Sequence, residues 1–180
     1  MNFKNTKHKV AVFCGSMYGS NKKFKELAVT VTKYLAQNNY DIVYGGGDNG
    51  LMGVVANTAL KYNSHVTGII PSFLDKREKI HSKINKIYVT KTMEQRKKKF
   101  LQISDSFVAL PGGGGTIEEI SLVVSALQLG IIKNKKETLL GKKAELVASG
   151  ADPSGSQLKD IDADIQVRRR YHCEDCPCRG

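Results

Sequence analysis

The stretch Pro111-Gly112-Gly113-Gly114-Gly115-Thr116-Ile117-Glu118-Glu119 holds the residues best suited to chemistry. Four glycines let a backbone come close to a ligand with its N–H groups bare. A helix that starts behind them adds unpaired amides and the positive end of its dipole. Together these favour a phosphate group. Glu118 and Glu119 fall one turn inside that helix. Acids suit a helix start, but beside a phosphate a carboxylate is electrostatically unfavourable unless it takes part in the reaction. A second cluster is basic. Residues 76–99 contain Lys76, Arg77, Lys79, Lys83, Lys86, Lys91, Arg96, Lys97, Lys98 and Lys99 against only Glu78 and Glu94. Such a patch favours anionic ligands, although most of its lysines read as an ordinary solvated face.

Both clusters need elements to hold them. Apolar runs at 10–14, 41–44, 65–70, 84–89 and 106–110 read as strands, the third stopped by Pro71. Amphipathic segments at 21–37, 51–62, 92–103 and 117–129 read as helices, with Asn21 as the cap of the first. Strands alternating with helices imply an α/β fold with a parallel sheet and right-handed crossovers. Glycine loops follow strands one, two and five, at the carboxyl ends where open sheets bind ligands. The first loop, Gly15 to Gly19, lacks the third glycine of the dinucleotide fingerprint, and no acidic residue ends strand two to hold a ribose. No Walker lysine follows Gly115. These features describe a mononucleotide site, not one for NAD or for ATP hydrolysis.

The chain is 180 residues long, 41% hydrophobic, with a net charge of +11, which suits one folded domain. Residues 1–132 hold 18 Lys and Arg against 9 Asp and Glu, so the excess lies in the part that reads as folded. No apolar run reaches membrane-spanning length, and residues 1–9 are polar and basic, with no secretory leader. A cytoplasmic location is the expectation.

Residues 9–132 resemble the LOG family, the cytokinin riboside 5′-monophosphate phosphoribohydrolases, many of which carry the older description "lysine decarboxylase-like". The matching blocks follow the family's order. They are Phe13-Cys14-Gly15-Ser16, then Val43 to Gly53, Gly68-Ile69-Ile70-Pro71, Met93-Glu94-Gln95-Arg96-Lys97, and Pro111 to Glu119. The last fits the signature Pro-Gly-Gly-x-Gly-Thr-x-x-Glu. The resemblance implies a Rossmann-like open parallel sheet with helices on both faces, in three layers. It implies cleavage of the N-glycosidic bond of a purine or cytokinin nucleoside 5′-monophosphate, AMP or isopentenyl-adenosine monophosphate, to free base and ribose 5-phosphate. The motif arginine and glutamate fall on Arg96 and Glu119. The carboxylate of Glu119 suits an oxocarbenium-like transition state and the activation of water, and Arg96 suits holding the substrate and keeping Glu119 ionised. Gly112, Gly113, Gly115 and Thr116 are expected at the phosphate. Gly46, Gly47 and Met52 are expected across the crevice, with Ser16, Arg77 and Lys97 also at the substrate. The resemblance calls for no metal or cofactor and implies a homodimer with helices near the site in its interface.

The chain departs from the family at Gly114, where a bulky residue is common. It departs again at Glu94, where histidine is common and a carboxylate is expected near Arg96. Residues 133–180 match nothing in the family and read as a divergent, partly disordered tail, leaving the edge of the fifth strand bare. Near its end His172, Cys173, Cys176 and Cys178 read as a reducible tail in preference to a zinc site. The alternative to an enzyme is a non-catalytic nucleotide-binding or carrier protein, inactivated by the altered C-terminus. The pairing of Arg96 with Glu119 favours the enzyme. Nucleic-acid binding through 76–99 is disfavoured because Tyr88 and the adjoining Phe100 are the only Phe, Tyr or Trp rings there, with no interleaved stacking pattern. Lysine decarboxylation lacks a pyridoxal-binding lysine in a dedicated setting.

Overall fold

All five strands read from the sequence form, and a sixth joins them. The computed structural model of the chain describes residues 7–74, 79–132 and 144–146. The strands are β1 (Lys9–Phe13), β2 (Asp41–Tyr44), β3 (Val66–Pro71), β4 (Lys86–Thr90), β5 (Ser106–Ala109) and β6 (Ala144–Leu146). Between them lie α1 (Lys23–Gln37), α2 (Gly50–Lys61), α3 (Met93–Ile103) and α4 (Gly114–Gln128). The sheet runs β4-β3-β2-β1-β5-β6 and every pairing is parallel. The chain thus builds outward from β1 to β4, then returns across the sheet to β5. The reversal falls between β1 and β5, where Val10 pairs with Ser106 and Phe13 with Ala109. A crevice opens at such a switch point, beyond the carboxyl ends of the strands.

Strand periodicity sorts the two cores. Val10, Val12 and Cys14 point to one face, where α1 contributes Ala28 and Leu35 and α2 contributes Leu51, Val55 and Ala59. Ala11 and Phe13 point to the other face, where α3 contributes Phe100 and α4 contributes Val123 and Ala126. Both faces of β1 are covered, which is why it reads as an unbroken apolar run instead of an alternating one. Phe13 meets Phe100 edge-on at 5.2 Å between ring centres. Each such burial stabilises the fold by roughly 1.5–3 kcal/mol.

Local signals set the helix starts. The Asn21 side chain accepts from the Lys23 amide at 3.0 Å. Thr92 accepts from the Gln95 amide at 3.2 Å, and Gln95 reaches back to the Lys91 amide at 2.9 Å. This reciprocal arrangement stabilises a helix start by about 1 kcal/mol.

The structure differs from the sequence reading at four places. α4 begins at Gly114, not at 117, because the Gly113 carbonyl already accepts from the amides of Thr116 and Ile117. β4 begins at Lys86, while Ile84 leaves the strand and packs into the α1–α2 core. Pro71 does not stop β3 short but is its last residue, paired with Thr90. β6 pairs Ala144, Glu145 and Leu146 with Phe107, Val108 and Ala109, carrying the sheet past position 132 and covering the edge of β5 that the sequence reading left bare. Among the described residues, no helix is long and apolar enough to cross a membrane.

Candidate active site

Two loops meet at the switch point. The Gly15 amide donates to the Pro111 carbonyl at 3.0 Å, tying the loop after β1 to the loop after β5. Gly112 lies against both, since a Cβ there would collide with Thr116 Oγ1 and sit 3.1 Å from the Gly15 amide nitrogen. Beyond it the crowding ends. A Cβ on Gly113, Gly114 or Gly115 would meet nothing within 4 Å. Gly112 to Gly115 are exposed, whereas Thr116 is buried. The glycines at the start of α4 are therefore exposed and uncrowded, with the helix dipole behind them.

Arg96 reaches this region from α3. It lies one turn before Phe100, so burying that ring aims the guanidinium at the sheet; the guanidinium carbon stands 5.4 Å from the ring centre. Its Nε donates to the Ile69 carbonyl at 3.0 Å, and its Nη1 lies 3.2 Å from Glu119 Oε1. Both side chains are mostly buried, at 14% and 13% exposure. Gly45 makes room for them, because a Cβ there would sit 2.9 Å from Arg96 Nη2 and 2.8 Å from Met52 Sδ. Four segments thus fix one guanidinium, and Met52 lines the same spot.

The neighbouring charges are divided. Lys97 pairs with Glu118, whose carboxylate holds the Lys97 ammonium above the usual lysine range. Lys99 and Lys86 turn away from the site, with their ammonium groups 4.3 Å and 4.7 Å from the Tyr88 ring centre on the edge strand. Glu94 is exposed in the first turn of α3. Its carboxylate is held below its usual range by its own amide and then by the Thr92 hydroxyl. It serves the helix start, with Lys97 as the nearby cation. Cys14, directly after β1, is buried, its thiol pushed up to about 12 by burial and then by the charge of Glu119. It is a core thiol in the cluster built by α1 and α2. Tyr44, fully buried, is also shifted up, by burial first and then by Asp48 and Cys14.

The other expected site residues are placed as follows. Ser16 is exposed in the loop after β1, packed so tightly on Gly50 that a Cβ at position 50, where φ is +56°, would overlap its carbonyl. Gly46 and Gly47 are buried beneath the surface of the loop after β2. Arg77 and the terminal cysteines lie outside the described residues. Sequence reasoning missed Gly45 and the Ile69 carbonyl, which hold Arg96, and His81, which is 3% exposed behind the β2 loop. A main-chain carbonyl has no side-chain signature, and a single histidine in a basic loop stands out by nothing but its type.

The family described as possible lysine decarboxylase matches residues 52–144, a span that includes Arg96, the glycine loop and Glu119. A probable cytokinin riboside 5′-monophosphate phosphoribohydrolase, LOGL6 of Oryza sativa subsp. japonica, is 42% identical over 123 residues, 68% of this chain and 49% of the relative. The cytokinin riboside 5′-monophosphate phosphoribohydrolase LOG1 of Arabidopsis thaliana is 40% identical over 123 residues, 68% of this chain and 58% of the relative. The chain spans about half the length of the curated relatives it matches. Among solved structures, the Moco carrier protein from Chlamydomonas reinhardtii superposes with a TM-score of 0.62 at 20% identity, covering 87% of this chain and 85% of its own, a likeness of fold alone. By the family match and these relatives, the chain belongs to the possible lysine decarboxylase family, the LOG family of phosphoribohydrolases.

Proposed function

We propose that the protein hydrolyses the N-glycosidic bond of a purine or cytokinin nucleoside 5′-monophosphate, releasing the free base and ribose 5-phosphate. One observation carries this reading: Glu119, paired with Arg96 at 3.2 Å, lies on the helix whose N-terminal amides belong to the exposed, uncrowded glycines Gly113, Gly114 and Gly115. A phosphate on those amides and a carboxylate one turn deeper are separated by about the length of a ribose, at 1.5 Å of helix rise per residue plus side-chain reach.

In this reading Gly112, Gly113, Gly115 and Thr116 hold the phosphate, with Ser16 facing it from the β1 loop. Met52, Gly46 and Gly47 form the opposite wall. Lys97 holds Glu118 off the phosphate and adds positive charge at the helix start, while Arg77, outside the described residues, is assigned to the substrate by resemblance alone. As the bond between C1′ and the base nitrogen breaks, its electron pair leaves with the base and positive charge develops on the ribose. Glu119 stabilises that charge and takes a proton from the attacking water; the proton then goes to the departing base. Arg96, anchored on Ile69, fixes the carboxylate and contacts the ribose. The protein acts as a homodimer in the cytoplasm, with exposed Ile117 and Val124 of α4 at the subunit contact.

The test supplies AMP, isopentenyl-adenosine monophosphate and adenosine, and identifies products by chromatography. Free base together with ribose 5-phosphate from the monophosphates, and far less from adenosine, is the expected result. Tight binding of AMP without any free base would make the protein a nucleotide carrier instead.

A further inference from the structure

The loop after β2 carries the wall of the site but has no strand ladder or helix of its own to hold it. Gly46 sits at φ +89°, which glycine adopts without steric cost, so the bend itself does not fix the loop. What holds it is the segment 79–83. The Asp48 amide donates to the Lys79 carbonyl at 2.8 Å, the His81 amide donates to the Gly46 carbonyl at 3.1 Å, and Gly47 pairs antiparallel with Ile80 between them. Lys79 Nζ adds a contact to Asp48 Oδ2 at 3.0 Å from the solvent side.

The His81 ring locks this strap to the body of the protein. Its Nδ1 accepts from the Lys83 amide at 3.2 Å, which leaves the ring proton on Nε2. Nε2 lies 3.3 Å from Asn57 Oδ1 and 3.6 Å from Asp48 Oδ1. Asn57 is fixed in turn on α2, donating to the Gly53 carbonyl at 2.8 Å. One buried imidazole thus joins the strap, the β2 loop and α2. The loop begins at Gly45, the residue packed against Arg96 Nη2 and Met52 Sδ.

We propose that His81 is a positioning residue that sets the wall formed by Gly45 to Asp48 against Arg96, and so tunes affinity for the nucleotide. This rests on the phosphoribohydrolase reading, but its first measurement does not. Hydrogen exchange at the Asp48 amide, read without nucleotide, is expected to quicken at least tenfold in His81→Ala while amides of β1 and β5 stay protected. With AMP as substrate, the KM of His81→Ala is expected to rise about tenfold with kcat within about threefold of wild type, the signature of a lost binding wall. His81→Gln, which keeps a donor near Asp48 and Asn57, returns the KM most of the way. Should His81→Ala not fold, Asn57→Ala removes the 3.3 Å partner of Nε2 from an exposed position and is read at the same Asp48 amide. Unchanged exchange at Asp48, an unchanged KM, or a fall in kcat equal to the fall in kcat/KM overturns the proposal. Faster exchange in a protein that never cleaves AMP would uphold the strap, with AMP affinity in place of KM, and reject the phosphoribohydrolase reading alone.

Discussion

Arg96 works through its fork. Nε is committed to the Ile69 carbonyl while Nη1 meets Glu119, two acceptors spaced for two nitrogens of a rigid planar fork, which the single nitrogen of an ammonium does not match. Arg96→Lys is therefore expected to fold normally but to lose roughly 100-fold in kcat/KM, read from AMP kinetics beside an unchanged circular dichroism spectrum. The Cys14 thiol gives a second residue-scale outcome. Its value is raised from 9.0 to about 12 by burial and by Glu119. Between those pH values the unfolded chain releases a proton that the folded chain retains. Stability is thus intact below pH 9.0 and falls through that window, by roughly 1.4 kcal/mol per pH unit from this group. The stability difference between wild type and Cys14→Ala, measured by urea unfolding, should shrink from pH 8 to pH 10; a constant difference would contradict the burial argument. Among single residues, Arg96 and Glu119 were legible because their types sit in a recognisable motif. Gly45 and His81 were not, because their roles arise from what the fold brings beside them.

Whole elements owe their positions to where glycine is required and where it is merely tolerated. Gly112 is crowded by Thr116 and Gly15, whereas Gly114 faces open space inside the first turn of α4. Gly112→Ala is expected to cost about 1–3 kcal/mol by displacing Thr116. Gly114→Ala should instead gain about 0.5 kcal/mol by stiffening the unfolded chain. Thermal melts of the two variants should move in opposite directions. Gly50→Ala, strained both by its positive φ and by the Ser16 backbone, is expected to lose about 2 kcal/mol. Strands and most helices were legible because buried parallel strands are apolar throughout and the helices carry caps such as Thr92. The start of α4 was misplaced because glycine's weak helix preference argues against a turn that the Gly113 carbonyl nonetheless closes. β6 is three residues, Ala-Glu-Leu, in a lysine-rich stretch, too short for any periodicity to show.

Over the whole molecule, topology brings together what sequence separates. Because the chain reverses between β1 and β5, loops almost a hundred residues apart touch at Gly15 and Pro111, and α3 and α4 share one face with Arg96 and Glu119 between them. That face also leaves Ile117 and Val124 exposed along α4. If they form the subunit contact, Val124→Glu should convert a dimer to a monomer in light scattering; an unchanged mass would place the contact elsewhere. The α/β class and the strand alternation were readable from pattern, and the family from resemblance over about two-thirds of the chain. The measurement that bears most directly on the central claim is AMP turnover by wild type and Glu119→Gln, with AMP affinity measured on both. We expect wild type to release adenine and ribose 5-phosphate, and Glu119→Gln to bind AMP within about tenfold of wild type while losing about 10²–10⁴ in kcat. Cleavage that survives in Glu119→Gln at an undiminished rate would contradict the account.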